Sequence, residues 1–348
     1  MTKKLVSMVS TVLNNRDGVR LMLDDIERQT RLPDELVVLD GGSKDGTYEY
    51  LLRRAKSLPF RLVALQEKGA SVSRGRNLAI EAAANDVIIS TDFGCRLDSG
   101  WLSELAAAFE QDPSVEIVTG SWRIRDEDIH TPAQWAEWAL SGGKIQMIAT
   151  QTCYASTRSI AFKRQVWLDF GKYPEDLTLS GDDGLFASWM VVAGRKIAAA
   201  PKAMCYWHRH ETLKGFFKES RVYGRGMGEA LFNLNYGVKV GFMVLLEIFS
   251  LGFIACATIA WLFGASWHLL GIGLLVVVLA WSRRVWRCLQ CTAMLSKVGL
   301  LRHAPWVFAL DFGRRWHGVL SYWRGFAHGL RHCRACRAQM KHLGLPRW

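Results

Sequence analysis

The sequence is short of the features that mark several large protein classes. It has only 8 prolines in 348 residues, and half of its residues are hydrophobic, which excludes a collagen-like or disordered chain. Its eight cysteines, at 95, 153, 205, 256, 288, 291, 333 and 336, follow no regular framework. A disulfide-stapled scaffold is therefore excluded, and free thiols in a reducing compartment are expected. The opening MTKKLVSMVSTVLNN lacks a small-residue cleavage site and ends in a polar Asn-Asn-Arg-Asp turn, so it reads as a first strand rather than a signal peptide. Residues 1–282 lack net charge, with 31 basic and 31 acidic side chains. Residues 283–348 lack acids apart from Asp311 and carry thirteen Lys and Arg, so the whole +12 sits in the tail.

From Leu5 to about Ala200 the pattern is strand, turn, helix, repeated. Leu5–Val12, Glu35–Asp40, Leu62–Leu65 and Val87–Thr91 are short apolar strands. Val19, Met22, Leu23 and Ile26 recur at helical spacing, and Ser73–Ala84 is a further helix. Such alternation predicts an α/β domain with a mostly parallel sheet covered on both faces, and ligands gather at the carboxyl ends of such strands. Asp40 and Asp92 stand at ends of that kind.

Composition changes near Gly241. Residues 241–263 contain one charge, Glu247, and residues 267–281 are apolar except for His268. Lys239 precedes the pair and Arg283, Arg284 and Arg287 follow it, so a transmembrane hairpin with both ends in the cytoplasm is predicted. Two buried helices of a soluble domain, or a re-entrant hairpin, are the alternatives, because Glu247 is costly in lipid. Beyond it, Trp286, Trp306, Trp316 and Trp323 alternate with arginines, as in helices lying at an anionic lipid interface; a helix packed on the hairpin would show the same residues. This interleaving favours lipid over nucleic acid as the partner of the tail.

Four clusters carry candidate chemistry. VVLDGGSKDGT presents Asp40 before a glycine pair. GASVSRGRN places Arg74 and Arg76 at a helix entry, where a diphosphate or base is also met by backbone N–H groups. STDFGCRLD presents Asp92 directly after a strand, suited to a ribose or a divalent ion. SGDDGLF opens a helix with Asp182 and Asp183, two neighbouring carboxylates that compete for ionisation, one of them a candidate general base. Each has a plainer reading as a turn, a solvated arginine or a helix-dipole partner. The CxxC pairs Cys288/Cys291 and Cys333/Cys336 are spaced too far apart for an ordinary zinc site.

The order STVLNN, LDGGSKDGT, SRGRN, TDFGC, then RSIAFKRQVW, GKYPEDL and SGDDGLF resembles glycosyltransferase family 2, with its GT-A (Rossmann-like) fold, over about residues 5–230. The resemblance implies an inverting transfer of a sugar from a nucleotide donor, a UDP-sugar in first place, to a lipid-linked or growing glycan acceptor. It assigns the base to Asp183 with Asp182 beside it, and donor binding to Val12, Asp40, Arg74, Arg76 and Asp92. A divalent cation, Mn²⁺ or Mg²⁺, would sit on Asp92 with Asp98 or His208 assisting. Gly94 stands where the second acid of the Asp-x-Asp motif belongs, so Arg76 and the His208–Arg209–His210 segment are an alternative carrier of the leaving-group charge. Arg221 and Arg225 would meet a lipid-linked pyrophosphate, and Trp122, Trp135, Trp138 and Tyr154 are candidate sugar-stacking or core aromatics. The implied organisation is a catalytic domain over 1–230, a membrane hairpin over 231–282 and a basic interfacial tail over 283–348. The implied location is multi-pass in a cell inner membrane, with the catalytic domain cytoplasmic and acids 40, 92 and 183 converging on one cleft. A polyprenyl-phosphate sugar synthase and an inactive membrane scaffold of the same fold are the rival readings.

Overall fold

The computed structural model describes residues 3–151, 156–178 and 180–345. In chain order the strands are β1 (Val6–Val12), β2 (Glu35–Asp40), β3 (Arg61–Gln66), β4 (Val87–Ser90), β5 (Cys95–Leu97), β6 (Ile117–Arg123), β7 (Gln146–Met147), β8 (Ile160–Lys163) and β9 (Ile197–Trp207). The helices are α1 (Arg16–Glu27), α2 (Thr47–Arg54), α3 (Val72–Ala82), α4 (Trp101–Gln111), α5 (Pro132–Leu140), α6 (Arg164–Phe170), α7 (Asp182–Val192), α8 (Leu213–Glu229), α9 (Leu234–Leu262), α10 (His268–Lys297), α11 (Ala304–His332) and α12 (Arg334–His342).

The sheet runs β3-β2-β1-β4-β8-β6-β9-β5, with β7 added to β6. Its first four strands are parallel, and β1 lies between β2 and β4. Every residue of β2 is buried, as a parallel strand covered on both faces requires. Past β4 the sheet is mixed: β8 is antiparallel to β4 and β6, β9 is parallel to β6, and β5 closes the edge antiparallel to β9. From β1 the chain proceeds outward to β2 and β3 on one side, then crosses back through α3 to β4 on the other side of β1. The crevice beyond the carboxyl ends of β1 and β4 is therefore the topological switch point where α/β sheets take ligands.

One face of the sheet packs Val19, Met22, Leu23 and Ile26 of α1 with Trp101, Leu105 and Phe109 of α4. The other packs Ala79, Ile80, Trp167, Phe170, Phe186 and Trp189 of α3, α6 and α7, and also Cys333, Cys336 and Met340 of the tail. Residues 283–345 are therefore docked on the α/β domain rather than separate from it. A third cluster joins α5 to Phe216 of α8, Cys291 and Leu295 of α10, and Val307 and Leu310 of α11. The two CxxC pairs fall in different clusters, and Cys333 Sγ donates to the Asp176 carbonyl at 3.2 Å.

α9 and α10 are long and apolar enough to cross a membrane, by length and composition. They pack on each other with Glu247 facing Arg284, and Trp281 Nε1 donating to Ser250 Oγ at 3.1 Å. The one charge in the first apolar run is answered here. Glu247 is 1% exposed, and Arg284 grips it through Nε at 3.0 Å and Nη2 at 2.7 Å while giving Nη1 to Asp311 at 2.6 Å. A buried carboxylate survives only with such full pairing.

α11 lies against α8 with almost no side chain between them. A Cβ at Gly228 would strike the carbonyl of Tyr322, and one at Gly325 would strike that of Arg225. Spacing of small residues by four brings helix backbones this close. Gly228→Ala is expected to destabilise the protein by about 1–3 kcal/mol through overpacking, whereas Gly252→Ala on α9, whose Cβ would meet nothing within 4 Å, is expected to be neutral. Thermal unfolding of the two purified variants compares them directly.

Candidate functional site

The switch-point crevice holds a cavity of about 330 Å³ whose lining includes Val12, Arg76, Asp92, Arg158, Asp182 and Asp183. They arrive from five separate stretches of chain. Val12 ends β1, and Asp92 follows β4 after one residue. Arg76 sits on α3, whose start is capped by Ser71 Oγ accepting from Arg74 N at 3.2 Å. Asp182 and Asp183 open α7, made possible by Gly181 in the left-handed region at φ 108°, where only glycine sits freely. Ser180 Oγ donates to the Val222 carbonyl of α8 at 3.0 Å and fixes the approach.

Arg76 is the hub. Its Nη1 donates to Asp182 Oδ2 at 2.5 Å, and its Nη2 to Thr157 Oγ1 at 2.9 Å and Asp92 Oδ1 at 3.4 Å. Burial works against its charge, but the carboxylates of Asp182, Asp92 and Asp183 outweigh that and hold it above the ordinary arginine range. Next to it, Asn77 accepts from Trp167 Nε1 at 3.1 Å and Tyr173 N at 3.0 Å, and donates to the Tyr173 carbonyl at 2.9 Å. Asn77 thus locks α3 to the chain leading into α7.

Asp182 is 2% exposed and committed to Arg76. Asp183 makes a local bond, accepting from Gly184 N at 2.9 Å. Burial, then the neighbouring Asp182, push its carboxyl above the usual carboxylate range, with Arg76 pulling the other way. A carboxylate that binds its proton more tightly than usual is a better proton acceptor once ionised.

Asp92 and Asp183 share the cavity, whereas Asp40 does not line it. Asp40 is fully buried beneath its turn: Oδ1 accepts from Gly42 N and Ser43 N at 2.8 Å and from Gln66 Nε2 at 3.0 Å. Its Oδ2 has no partner among the described residues. Gly41, its neighbour, lines an adjoining recess of about 190 Å³ together with Val12 and Val72, which border the main cavity as well. Arg74 does not reach the cavity; Glu67 at 3.1 Å and Glu175 at 3.4 Å hold its guanidinium. His208 lines a second neighbouring recess and is tied by its backbone N–H to the Gly94 carbonyl at 3.3 Å. Arg209 is not available to a leaving group, because Glu137 and Glu219 take its guanidinium on both sides. Among the described residues, no three His, Cys, Asp or Glu side chains cluster to hold a metal.

Arg225 is spent on Glu229 at 2.7 Å, and Arg221 approaches His317 at 3.5 Å. From the same segment it is Tyr223 that lines the cavity. Trp122 meets Trp207 edge-on, and Trp135 and Trp138 pack with the α5–α8–α10–α11 cluster. Tyr154, like Cys153, lies outside the described residues. Thr157, Arg158 and Tyr223 escaped the sequence reading because two stand in an irregular segment before β8 and the third is one aromatic on an amphipathic helix.

This geometry is a switch-point cleft of an α/β sheet, lined by paired carboxylates and a buried arginine. The glycosyl transferase family 2 model matches residues 7–167, a little under half of the chain and the part that carries β1 to β8. Poly-beta-1,6-N-acetyl-D-glucosamine synthase of Staphylococcus aureus (strain MSSA476) is 25% identical over 233 residues, covering 65% of this chain and 55% of that protein. The O-antigen chain rhamnosyltransferase RfbN of Salmonella typhimurium (strain LT2) is 28% identical over 193 residues, covering 53% of this chain and 60% of that one. The chain thus spans little more than half the length of these curated relatives. A solved mannosyltransferase from Pyrobaculum calidifontis, in complex with GDP-Man and Mn²⁺, superposes with a TM-score of 0.52 at 18% identity, over 95% of this chain and 88% of that one. That likeness establishes the GT-A fold.

Arg76→Met is expected to cost about 3–5 kcal/mol, because it leaves Asp182 buried without a counter-charge. Combining it with Asp182→Asn is expected to recover much of that loss; a double-mutant cycle on unfolding midpoints reads both.

Proposed function

We propose that this protein is an inverting glycosyltransferase of bacterial polysaccharide synthesis. It moves a sugar from a nucleotide-sugar donor, a UDP-sugar first, to a lipid-linked or growing glycan acceptor at the cytoplasmic face of the inner membrane. The observation that carries the reading is Asp183, with its raised affinity for a proton, facing Asp92 and Arg76 across one cavity at the sheet's switch point. The relatives' names, a poly-N-acetylglucosamine synthase and an O-antigen rhamnosyltransferase, support a polysaccharide product.

In the reaction Asp183 takes the proton of the acceptor hydroxyl as that oxygen attacks the anomeric carbon. The bond from that carbon to the diphosphate oxygen breaks, and the nucleoside diphosphate leaves with the electron pair. Asp182, held by Arg76, lies beside it and adds to the burial that raises the Asp183 proton affinity. Asp40, buried and lining neither recess, contributes by holding the Gly42–Ser43 turn beside the donor cleft. Asp92 is one carboxylate where two are usual. Mg²⁺ or Mn²⁺ is commonly held by one or two carboxylates together with substrate phosphates, so Asp92 fits a cation carried in by the donor. Bound there, that ion would neutralise diphosphate charge. For the membrane, α9 and α10 would form a hairpin with Lys239 and Arg283, Arg284 and Arg287 on the cytoplasmic side, and the exposed Trp286 (64%) and Phe308 (43%) would lie at the lipid surface.

The test is a binding screen of UDP-, GDP- and dTDP-sugars with and without Mn²⁺, followed by donor turnover with Asp183→Asn. Turnover is expected to fall by about a hundredfold or more with donor affinity kept. Unchanged turnover would point instead to a phosphate acceptor, which needs no base, and absence of donor binding would leave only a scaffold. Because the Asp183 carboxyl holds its proton above the ordinary range, the protonated, inactive form persists to higher pH. The rate is therefore expected to climb with pH along an acid limb centred above the usual carboxylate value of about 4, and Asp183→Asn is expected to lose that limb. Gly94 has open space where a Cβ would project. Gly94→Asp is thus expected to tighten Mn²⁺ binding about tenfold in a calorimetric titration with nucleoside diphosphate.

A further inference from the structure

The two cations of the main cavity differ in their commitments. Arg76 has its charge returned by Asp182 and Asp92. Arg158 meets no carboxylate within salt-bridge distance among the described residues. Its Nη1 donates to Ser156 Oγ at 3.0 Å and its Nη2 to Tyr223 Oη at 2.9 Å, both neutral. The guanidinium lies 3.7 Å from the Trp207 ring centroid, a close cation–π contact that fixes its plane. A planar fork of five N–H donors with two spent on hydroxyls keeps donors free for a bidentate acceptor.

The acids of the cavity outnumber its arginines, so a diphosphate bound there depends on whichever guanidinium is not already paired. Asp92, Asp182 and Asp183 face two arginines there, and a nucleoside diphosphate would add further negative charge. Gly94 removes one carboxylate from the strand-end motif and, with it, half of the usual anchorage for a cation.

We propose that Arg158 binds the diphosphate of the nucleotide donor and supplies to the leaving group positive charge that a two-carboxylate cation site would otherwise carry. The assignment rests on the glycosyltransferase reading and names a contact which that reading does not need. The chemistry it recognises is phosphoryl oxygen. A polyprenyl phosphate acceptor offers the same atoms, and the donor is the source assigned because Asp92, the donor-side acid, lines the same cavity.

The experiment measures binding of uridine, UDP, GDP and inorganic pyrophosphate to the full-length, detergent-solubilised protein in EDTA, for wild type, Arg158→Gln and Arg158→Lys. Arg158→Gln is expected to weaken the diphosphates and pyrophosphate by about tenfold or more and to leave uridine unchanged, with Arg158→Lys between. Diphosphate binding equal to wild type in Arg158→Gln overturns the assignment. So does an equal loss of uridine, which would mark a structural role, and so does intact diphosphate binding with lost affinity for undecaprenyl phosphate in nanodiscs. If Arg158→Gln does not fold, Arg158→Lys carries the same comparison between diphosphate and uridine. Wild-type protein that binds no diphosphate either in EDTA or with Mn²⁺ restored would sink the glycosyltransferase reading itself, whereas wild-type binding with indifferent variants sinks only the role of Arg158.

Discussion

The buried ion pair between Arg76 and Asp182 is the constraint on which the site depends. It joins α3 on one side of the cleft to the first turn of α7 on the other, and through Nη2 it also reaches the strand-end Asp92. Three segments more than a hundred residues apart in their extremes are held to one geometry by one guanidinium. The pair also divides labour between adjacent carboxylates. Asp182 spends its charge on Arg76, and that fixed negative charge, added to burial, makes the proton on Asp183 harder to remove. Two acids with the same side chain thus differ by environment alone, one paired with a buried arginine and the other holding its proton more tightly.

A second constraint passes through α8. It carries Tyr223 into the cavity, receives Ser180 at its Val222 carbonyl, and runs on toward α9. Its other side is in backbone contact with α11, whose Asp311 binds Arg284 and so reaches Glu247 on α9. The apolar helices are therefore connected to the entry of α7 by packed backbone and buried charge rather than by a loose linker. Overpacking the α8–α11 contact loads the same helix that holds Ser180, which couples the fold's stability to the placement of the paired acids.

Much of the α/β domain was legible from periodicity. The helix face at Val19, Met22, Leu23 and Ile26 is buried as its spacing predicts, and Glu35–Asp40 is a fully buried strand. Motif order located Asp92, Asp182, Asp183, Val12 and Arg76, because strand ends and helix starts on one edge of a parallel sheet converge geometrically. Arg74 shows where that logic stops. Two residues from Arg76 on the same helix, it turns to a different face and is taken by Glu67 and Glu175. Arg209 was misjudged for a related reason, since a run of basic residues does not reveal the carboxylates that fold onto it. The docking of the tail had a readable sign that charge and tryptophan content obscured: Gly224 and Gly228 on α8, and Gly325 and Gly329 on α11, share the spacing of close-packed helices.

Arg158 was not legible, and the reason is physical. Nothing local distinguishes an arginine whose charge is balanced by protein carboxylates from one left for a ligand. That distinction depends on which side chains arrive from elsewhere, here Tyr223 from α8 and Trp207 from β9, neither of them anionic. A protein that surrounds a guanidinium with hydroxyls and an aromatic face satisfies part of its hydrogen bonding and leaves it without a carboxylate in direct contact. Asp92 and Asp183 act on Arg158 only from beyond ion-pair distance, while Arg76 bridges Asp182 and Asp92. On the proposed assignment the cleft is polarised, with the proton acceptor at Asp183 and the anion site at Arg158. Transfer of a sugar off a diphosphate needs both polarities, because the nucleophile must lose a proton while the leaving group gains charge.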